Sequence, residues 1–363
     1  MKRAILTLAP ALVLAMGVVP TAHASATDRP SHHPSYGWTD RSTGADEQYR
    51  GLAAVSGRVA WVSGEKGSVL RTTDGGRSWT DVSPAAAKTA GLALRDIEAW
   101  DSRHAVALSI GNGSDSRIFR TSDGGKTWTE AFRNAEEPAF YDCMAFSSRK
   151  VGLAMSDPVD GHIRMARTTD GGKSWSVLPT AGMPAALDGE FGFAASGTCL
   201  VTAQRAGFGS EDYWLVTGGK TPRVFHTTDA GDTWTVMPAP IRGGEAAGIY
   251  SVAFRDRHRG VMVGGDYTAP TDGTKAAATS EDGGRWWSPS STPLSGYRSG
   301  VAFDPRSGHN VIAVGPTGSD VSTDLGRSWK ALDTKAFDGI HCANDGTCWA
   351  SGPHGAVAQL TRR

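Results

Sequence analysis

The chain has 363 residues, and 37 Lys and Arg balance 37 Asp and Glu, so its formal net charge is zero. Asp outnumbers Glu 27 to 10, Arg outnumbers Lys 27 to 10, and there are 46 Gly; such a composition favours turns over long helices and disfavours a bundle or coiled coil. Zero net charge removes the usual electrostatic case for binding nucleic acid or an anionic membrane, and the 12 Trp call for a structural explanation.

Met1, Lys2 and Arg3 form a basic start, followed by an apolar run from Ala4 to Val19 and a small-x-small site at Ala22-His23-Ala24. Residues 1–24 therefore read as a cleaved signal peptide, and a secreted or extracytoplasmic setting is expected. The run contains Pro10 and is too short to span a bilayer, so no stable membrane insertion is expected. Residues 25–35 are polar, with His32-His33, and read as a disordered linker. A single domain is expected over 36–363.

Along that domain one pattern recurs. Thr73-Asp74-Gly75-Gly76-Arg77-Ser78-Trp79 returns around Asp123 and Trp128, Asp170 and Trp175, Asp229 and Trp234, Asp282 and Trp287, and Asp324 and Trp329. Successive Asp residues stand 49, 47, 59, 53 and 42 residues apart, a period that marks repeated supersecondary units. In each box the Asp can accept backbone N–H groups within a tight turn, Gly supplies positive φ, and the Trp five residues later turns back into the sheet. Short strand-like stretches precede every box, such as Val59-Ala60-Trp61-Val62 and Ser68-Val69-Leu70-Arg71. Each unit reads as four strands, with the box between the third and fourth.

After the last box, Ile340-His341-Cys342, Cys348-Trp349-Ala350 and Gly355-Ala356-Val357-Ala358 match three strands with no box following. Gly37-Trp38-Thr39-Asp40 matches a fourth strand with no box before it. The two ends complete one another, and closure removes exposed sheet edges. The expected fold is all-β: a seven-bladed β-propeller of four-stranded antiparallel blades, the last closed by the N-terminal strand.

The S/T-x-D-G-G-K/R-x-W boxes resemble those of Asp-box (BNR-repeat) propellers, and their spread from Trp38 to Ala358 resembles the photosystem II stability/assembly factor-like group. This resemblance implies the fold strongly and function weakly, since propellers host many activities. A more distant resemblance is to sialidases, which carry an Arg-Ile-Pro motif, an arginine triad and a Tyr/Glu nucleophile pair. Here Tyr49-Arg50-Gly51-Leu52 stands before the first box. Arg50, Arg95 and Arg298 could imitate the arginines, and Tyr250 with Glu245 or Glu190 the pair, but none sits in a recognisable sialidase motif.

Residues that start the innermost strands ring one mouth of the channel. Alternation places Arg50, Asp96, Asp142, Ser251, Arg298 and Asp338 at or near that ring, as a polar binding site or as pairs that satisfy one another. The stretch 204–223 reads as the longest insertion and carries Arg205, Phe208, Glu211, Asp212, Tyr213 and Trp214, so Tyr213-Trp214 reads as a sugar or peptide platform or as a packed cover strand. Asp157 to His162, and Asp266 with Tyr267, extend from loops on the mouth face. Ion binding there is weighed against solvated turns, and no metal is expected. Cys342 and Cys348 flank a hairpin-turn composition and can pair, whereas Cys143 and Cys199 pair at long range or stay free. Gly125-Lys126-Thr127 and Gly172-Lys173-Ser174 lack the first Gly of a P-loop and no GxSxG occurs, so no cofactor is expected. The reading is a monomeric, non-catalytic propeller that binds a protein or glycan at its mouth. The alternative is an exo-acting, sialidase-like glycoside hydrolase.

Overall fold

A computed structural model describes residues 35–203 and 211–362. The expected signal peptide, almost all of the expected linker, and Arg205 and Phe208 lie outside the described residues.

The chain forms seven antiparallel sheets set round a ring, a seven-bladed β-propeller. Blade 1 takes Tyr49–Ala54, Ala60–Gly64, Val69–Thr72 and Thr80–Asp81 in order from the channel outward. The first strands of successive blades touch one another and line the axis. Blade 7 consists of Gly339–Cys342, Cys348–Ser351 and Val357–Arg362, and its outermost strand is Tyr36–Asp40 from the other end of the chain. That strand pairs antiparallel from Tyr36↔Arg362 to Asp40↔Ala358. Among the described residues, helix is confined to one six-residue element, Ala85–Ala90, and two 3-10 turns.

The boxes explain how the blades hold their outer turns. In the first, Asp74 Oδ1 accepts the N–H groups of Arg77 and Ser78 at 3.0 Å each, and Ser78 Oγ donates to Oδ2 at 2.6 Å. Thr72 Oγ1 accepts the N–H of Gly76 at 2.9 Å, while Gly75 and Gly76 adopt φ of 81° and 77°. These donors hold Asp74 far below the usual carboxylate range, the Ser78 hydroxyl first among them.

Tryptophans join the blades. Three box Trp reach back one blade, Trp79 Nε1 donating to Arg41 O at 2.9 Å, Trp128 Nε1 to Val82 O at 2.6 Å and Trp329 Nε1 to Ser290 Oγ at 3.2 Å, whereas Trp234 and Trp287 donate to Gly231 O and Gly284 O of their own boxes. A second-strand Trp reaches forward, as Trp61 Nε1 donates to Asp101 O and Trp349 Nε1 to Ser56 O. The two kinds meet edge-on: Trp61 on Trp128 at 6.4 Å and Trp349 on Trp79 at 6.2 Å.

Blade 4 corrects the sequence reading. Tyr213–Val216 is its second strand and is fully buried, not an inserted loop. Trp214 stacks between His226 and Phe254 and donates Nε1 to Gly283 O at 2.9 Å, the same forward reach made by Trp61 and Trp349. Neither Tyr213 nor Trp214 can offer a platform. The long interval includes instead a crossing stretch between Ser176–Val177 and Leu200–Val201.

Two disulfides are present. Cys342–Cys348 bridges directly opposed residues of the first hairpin of blade 7. Cys143–Cys199 ties the first strand of blade 3 to the residue preceding the first strand of blade 4.

Candidate functional site

Four inner strands carry a β-bulge at the same place. The register shifts between Tyr49 and Gly51, Leu94 and Asp96, Tyr141 and Cys143, and Ile249 and Ser251. The extra residue in each is Arg50, Arg95, Asp142 and Tyr250, and a bulge re-aims such a side chain. The ring position is therefore Arg95 in blade 2 and Tyr250 in blade 5, not Asp96 and Ser251, because strict alternation miscounts by one across a bulge. Asp96 lies between blades, where its Oδ2 accepts the Met144 N–H at 2.7 Å. Ser251 Oγ likewise accepts the Val301 N–H at 3.0 Å.

The channel is occupied by the chain itself. On its way from blade 3 to blade 4, the stretch 191–198 crosses the axis and meets the inner edges of four other blades. Gly192 N donates to Asp157 Oδ1 at 2.7 Å, and Ala194 O accepts Arg95 Nη1 at 3.2 Å. Phe193 stacks on Tyr250 with centroids 3.7 Å apart. Ser196 Oγ donates to Ser299 O at 2.7 Å, and a Cβ built on Gly339 would stand 3.6 Å from Ser196. Gly197, at φ 73°, lies where a Cβ would come within 2.3 Å of Asp96 Oδ1, so no larger residue fits without movement.

Under this plug sit carboxyl groups in low dielectric. Asp142 and Asp157 are neighbours whose titrations act on one another, and Asp142 Oδ2 is buried without a hydrogen-bond partner. Burial pushes Asp157 up to about 6, and burial with the neighbouring Asp157 charge pushes Asp142 well above the usual carboxylate range. Burial also raises Glu98 to about 7, and raises Asp96, to which the Glu98 charge adds.

At the mouth, Arg50 and Arg95 lie on adjacent blades. Arg95 Nη2 meets Glu65 Oε1 at 2.8 Å, while Arg50 stands 3.9 Å from Glu65 and 3.8 Å from Asp338. Gln48 Nε2 donates to Asp338 Oδ2 at 2.9 Å. Burial lowers the Arg95 pKa and the Arg50 charge lowers it further, and the Nε atoms of both arginines are buried without a partner. Both side chains nevertheless keep about a fifth of their surface open, so the pair presents partly exposed guanidiniums at the rim. Tyr267 stands exposed nearby, and Asp266 is partly buried, its carboxylate lowered by the Thr268 hydroxyl.

Arg298 does not join them. It is fully buried and donates to Asp320 Oδ2 at 2.6 Å, Thr317 Oγ1 at 2.9 Å, Ser295 Oγ at 2.5 Å and Tyr297 O at 2.8 Å. Glu190 is paired with Arg223 and accepts from Thr217 Oγ1 at 2.6 Å, Tyr250 donates to Ala246 O at 2.9 Å, and Glu245 is exposed. The structure thus brings Arg50, Arg95 and Asp338 together at the rim and places Asp96 and Asp142 beneath it. No group of three or more His, Cys, Asp or Glu able to hold a metal ion is found among the described residues.

Neither a family model nor a curated protein matches the chain. Solved structures do. YCF48 bound to D1 peptide matches with a TM-score of 0.61 at 16% identity, over 89% of this chain and 94% of that one. YCF48 from Cyanidioschyzon merolae gives 0.59 at 16%, over 89% and 98%. The GH74 xyloglucanase from Xanthomonas campestris gives 0.59 at 16%, over 89% of this chain and 53% of the enzyme. At such identities the likeness is one of fold.

Proposed function

We propose that this protein is a non-catalytic binding propeller whose channel mouth receives an anionic segment of a protein partner. The observation that carries the reading is the Arg50–Arg95 pair: two guanidiniums on adjacent bulges, each about a fifth exposed, with Glu65 as their shared carboxylate. A carboxylate arriving at the rim relieves their repulsion and pairs with their exposed edges in charge-assisted bonds. Similarity to a propeller solved with a bound peptide supports the class of partner. The boxes and their even spread support kinship with the Asp-box propellers, the photosystem II assembly factor-like group in particular. The basic start, apolar run and cleavage signal, together with two disulfides, support action after export.

Probing an array of acidic, neutral and basic dodecapeptides with the purified protein tests the reading. Acidic spots are expected to dominate, and Arg50→Gln with Arg95→Gln to erase them; equal binding to all three classes contradicts it. The rival is the glycoside hydrolase, for which the GH74 likeness speaks. Inverting and retaining hydrolysis both need a carboxyl pair open to the sugar, whereas Asp142 is buried beneath Gly192. Turnover of fluorogenic glycosides would establish the rival instead.

A further inference from the structure

The fifth box departs from the other five at two positions, and both departures line one groove on the box face. The residue four after the box Asp is Ser78, Thr127, Ser174, Thr233 or Ser328 elsewhere, and each hydroxyl donates to its carboxylate at 2.5–2.7 Å. In the fifth box that residue is Trp286. Asp282 keeps the backbone donor, Trp286 N at 2.9 Å, and the hydroxyl bond is gone. The indole is 70% exposed, more than any other large apolar side chain described. The residue before the box Asp is Ser or Thr elsewhere and Glu281 here, paired with Arg327 of the sixth box.

The groove between the two turns measures about 520 Å³ and is lined by Trp286, Pro289, Glu281, Arg327, Ser288 and Ser291. Its walls are pinned to one another. Ser291 donates its N–H and its hydroxyl to Arg327 O at 2.8 and 2.9 Å, and Ser290 Oγ donates to Gly326 O at 2.6 Å. The groove therefore exists before any ligand arrives, which lowers the ordering cost of binding.

We infer that this groove is a second binding site, taking a neutral pyranose chain. One flat indole standing clear of a rim of hydroxyls, a carboxylate and a guanidinium matches such a chain. The C–H face of a sugar ring lies on the indole, and its equatorial hydroxyls meet donors and acceptors at the edges. Glu281 and Arg327 neutralise each other and Asp282 adds a further carboxylate to the lining, which suits a neutral sugar and disfavours an acidic one. The exchange of a turn-capping hydroxyl for an exposed Trp gives up a hydrogen bond in the fold, a pattern expected where binding and stability compete. This site is independent of the mouth, which lies at the opposite end of the strands.

Calorimetric titration with cellohexaose, chitohexaose and maltohexaose tests it, alongside thermal melts. Wild type should bind at least one of the three, Trp286→Tyr should retain that binding within about fivefold, and Trp286→Ser should weaken it more than about tenfold. Trp286→Ser restores the hydroxyl found in the other boxes and should raise the Tm by about 2 °C, which shows that lost binding is not lost folding. No heat with any of the three sugars, or equal affinity in Trp286→Ser, overturns the inference. A wild-type dimer that Trp286→Ser dissociates in sedimentation also overturns it, since the groove would then be a contact between copies.

Discussion

Asp142 shows how little of a residue's role its type reveals. It occupies a bulge, as Arg50 does, yet lies under Gly192 beside Asp157. A carboxyl whose pKa is raised by folding contributes stability while it stays protonated, and that contribution is lost as pH rises through the folded value. The window therefore opens above the ordinary carboxylate range, near 4, and runs through about 6 for Asp157, with Asp142 raised well above that range too. The box aspartates act in the opposite sense. Asp123 and Asp170 are lowered to about 2, the first chiefly by the Thr127 hydroxyl and the second by Ser174 against opposing burial. Their contribution is present above pH 4 and is lost as pH falls towards 2. Asp142→Asn removes the titrating group while keeping shape. Its Tm should exceed that of wild type by several degrees at pH 8 and match it near pH 4.5, as thermal melts across pH would show; equal Tm at both pH values contradicts a raised Asp142.

At the scale of elements, the box turns are legible because they repeat. The inner strands are legible only in part. A bulge inserts one residue without changing composition, so a count in steps of two places Asp96 and Ser251 where the structure has Arg95 and Tyr250. The crossing stretch 191–198 carries no period, and its seating depends on contacts with four distant blades that no local pattern encodes. Its trace in the sequence is Phe191-Gly192-Phe193 and Gly197, small residues beside aromatics. Trp214 could have been placed by spacing, since it precedes its box Asp by 15 residues where Trp61 precedes its own by 13. Gly197→Ala tests the plug. A positive φ in a non-Gly residue costs about 1–3 kcal/mol, and contact with Asp96 adds to that. Urea titration should show a loss of at least about 1 kcal/mol, with faster hydrogen exchange confined to 191–198; unchanged exchange there contradicts a tightly seated plug.

For the whole molecule, closure comes from the ends. Blade count and split blade followed from a final unit lacking its box and an initial strand lacking its unit. Five residue pairs join Tyr36–Asp40 to Val357–Arg362. Tyr36 donates to Asp304 of blade 6 at 2.8 Å, Arg362 Nε donates to the same carboxylate at 2.8 Å, and Trp38 Nε1 donates to Ser319 Oγ at 3.1 Å. Deleting Tyr36–Asp40 should lower the Tm by more than about 10 °C and broaden the transition, because it strips an outer strand and exposes the face of Val357–Arg362. An unchanged melt contradicts closure by strand exchange.

With the stretch 191–198 across the channel, recognition at the mouth falls to its rim, where the two bulge arginines keep partly exposed guanidiniums. The most direct measurement is calorimetry of one acidic array-selected peptide against wild type and the Arg50→Gln, Arg95→Gln double variant, at 50 and 300 mM salt. The account predicts that wild type loses affinity several-fold with salt and that the double variant binds at least about tenfold more weakly with little salt dependence. Equal affinity and equal salt dependence in the two proteins would contradict it.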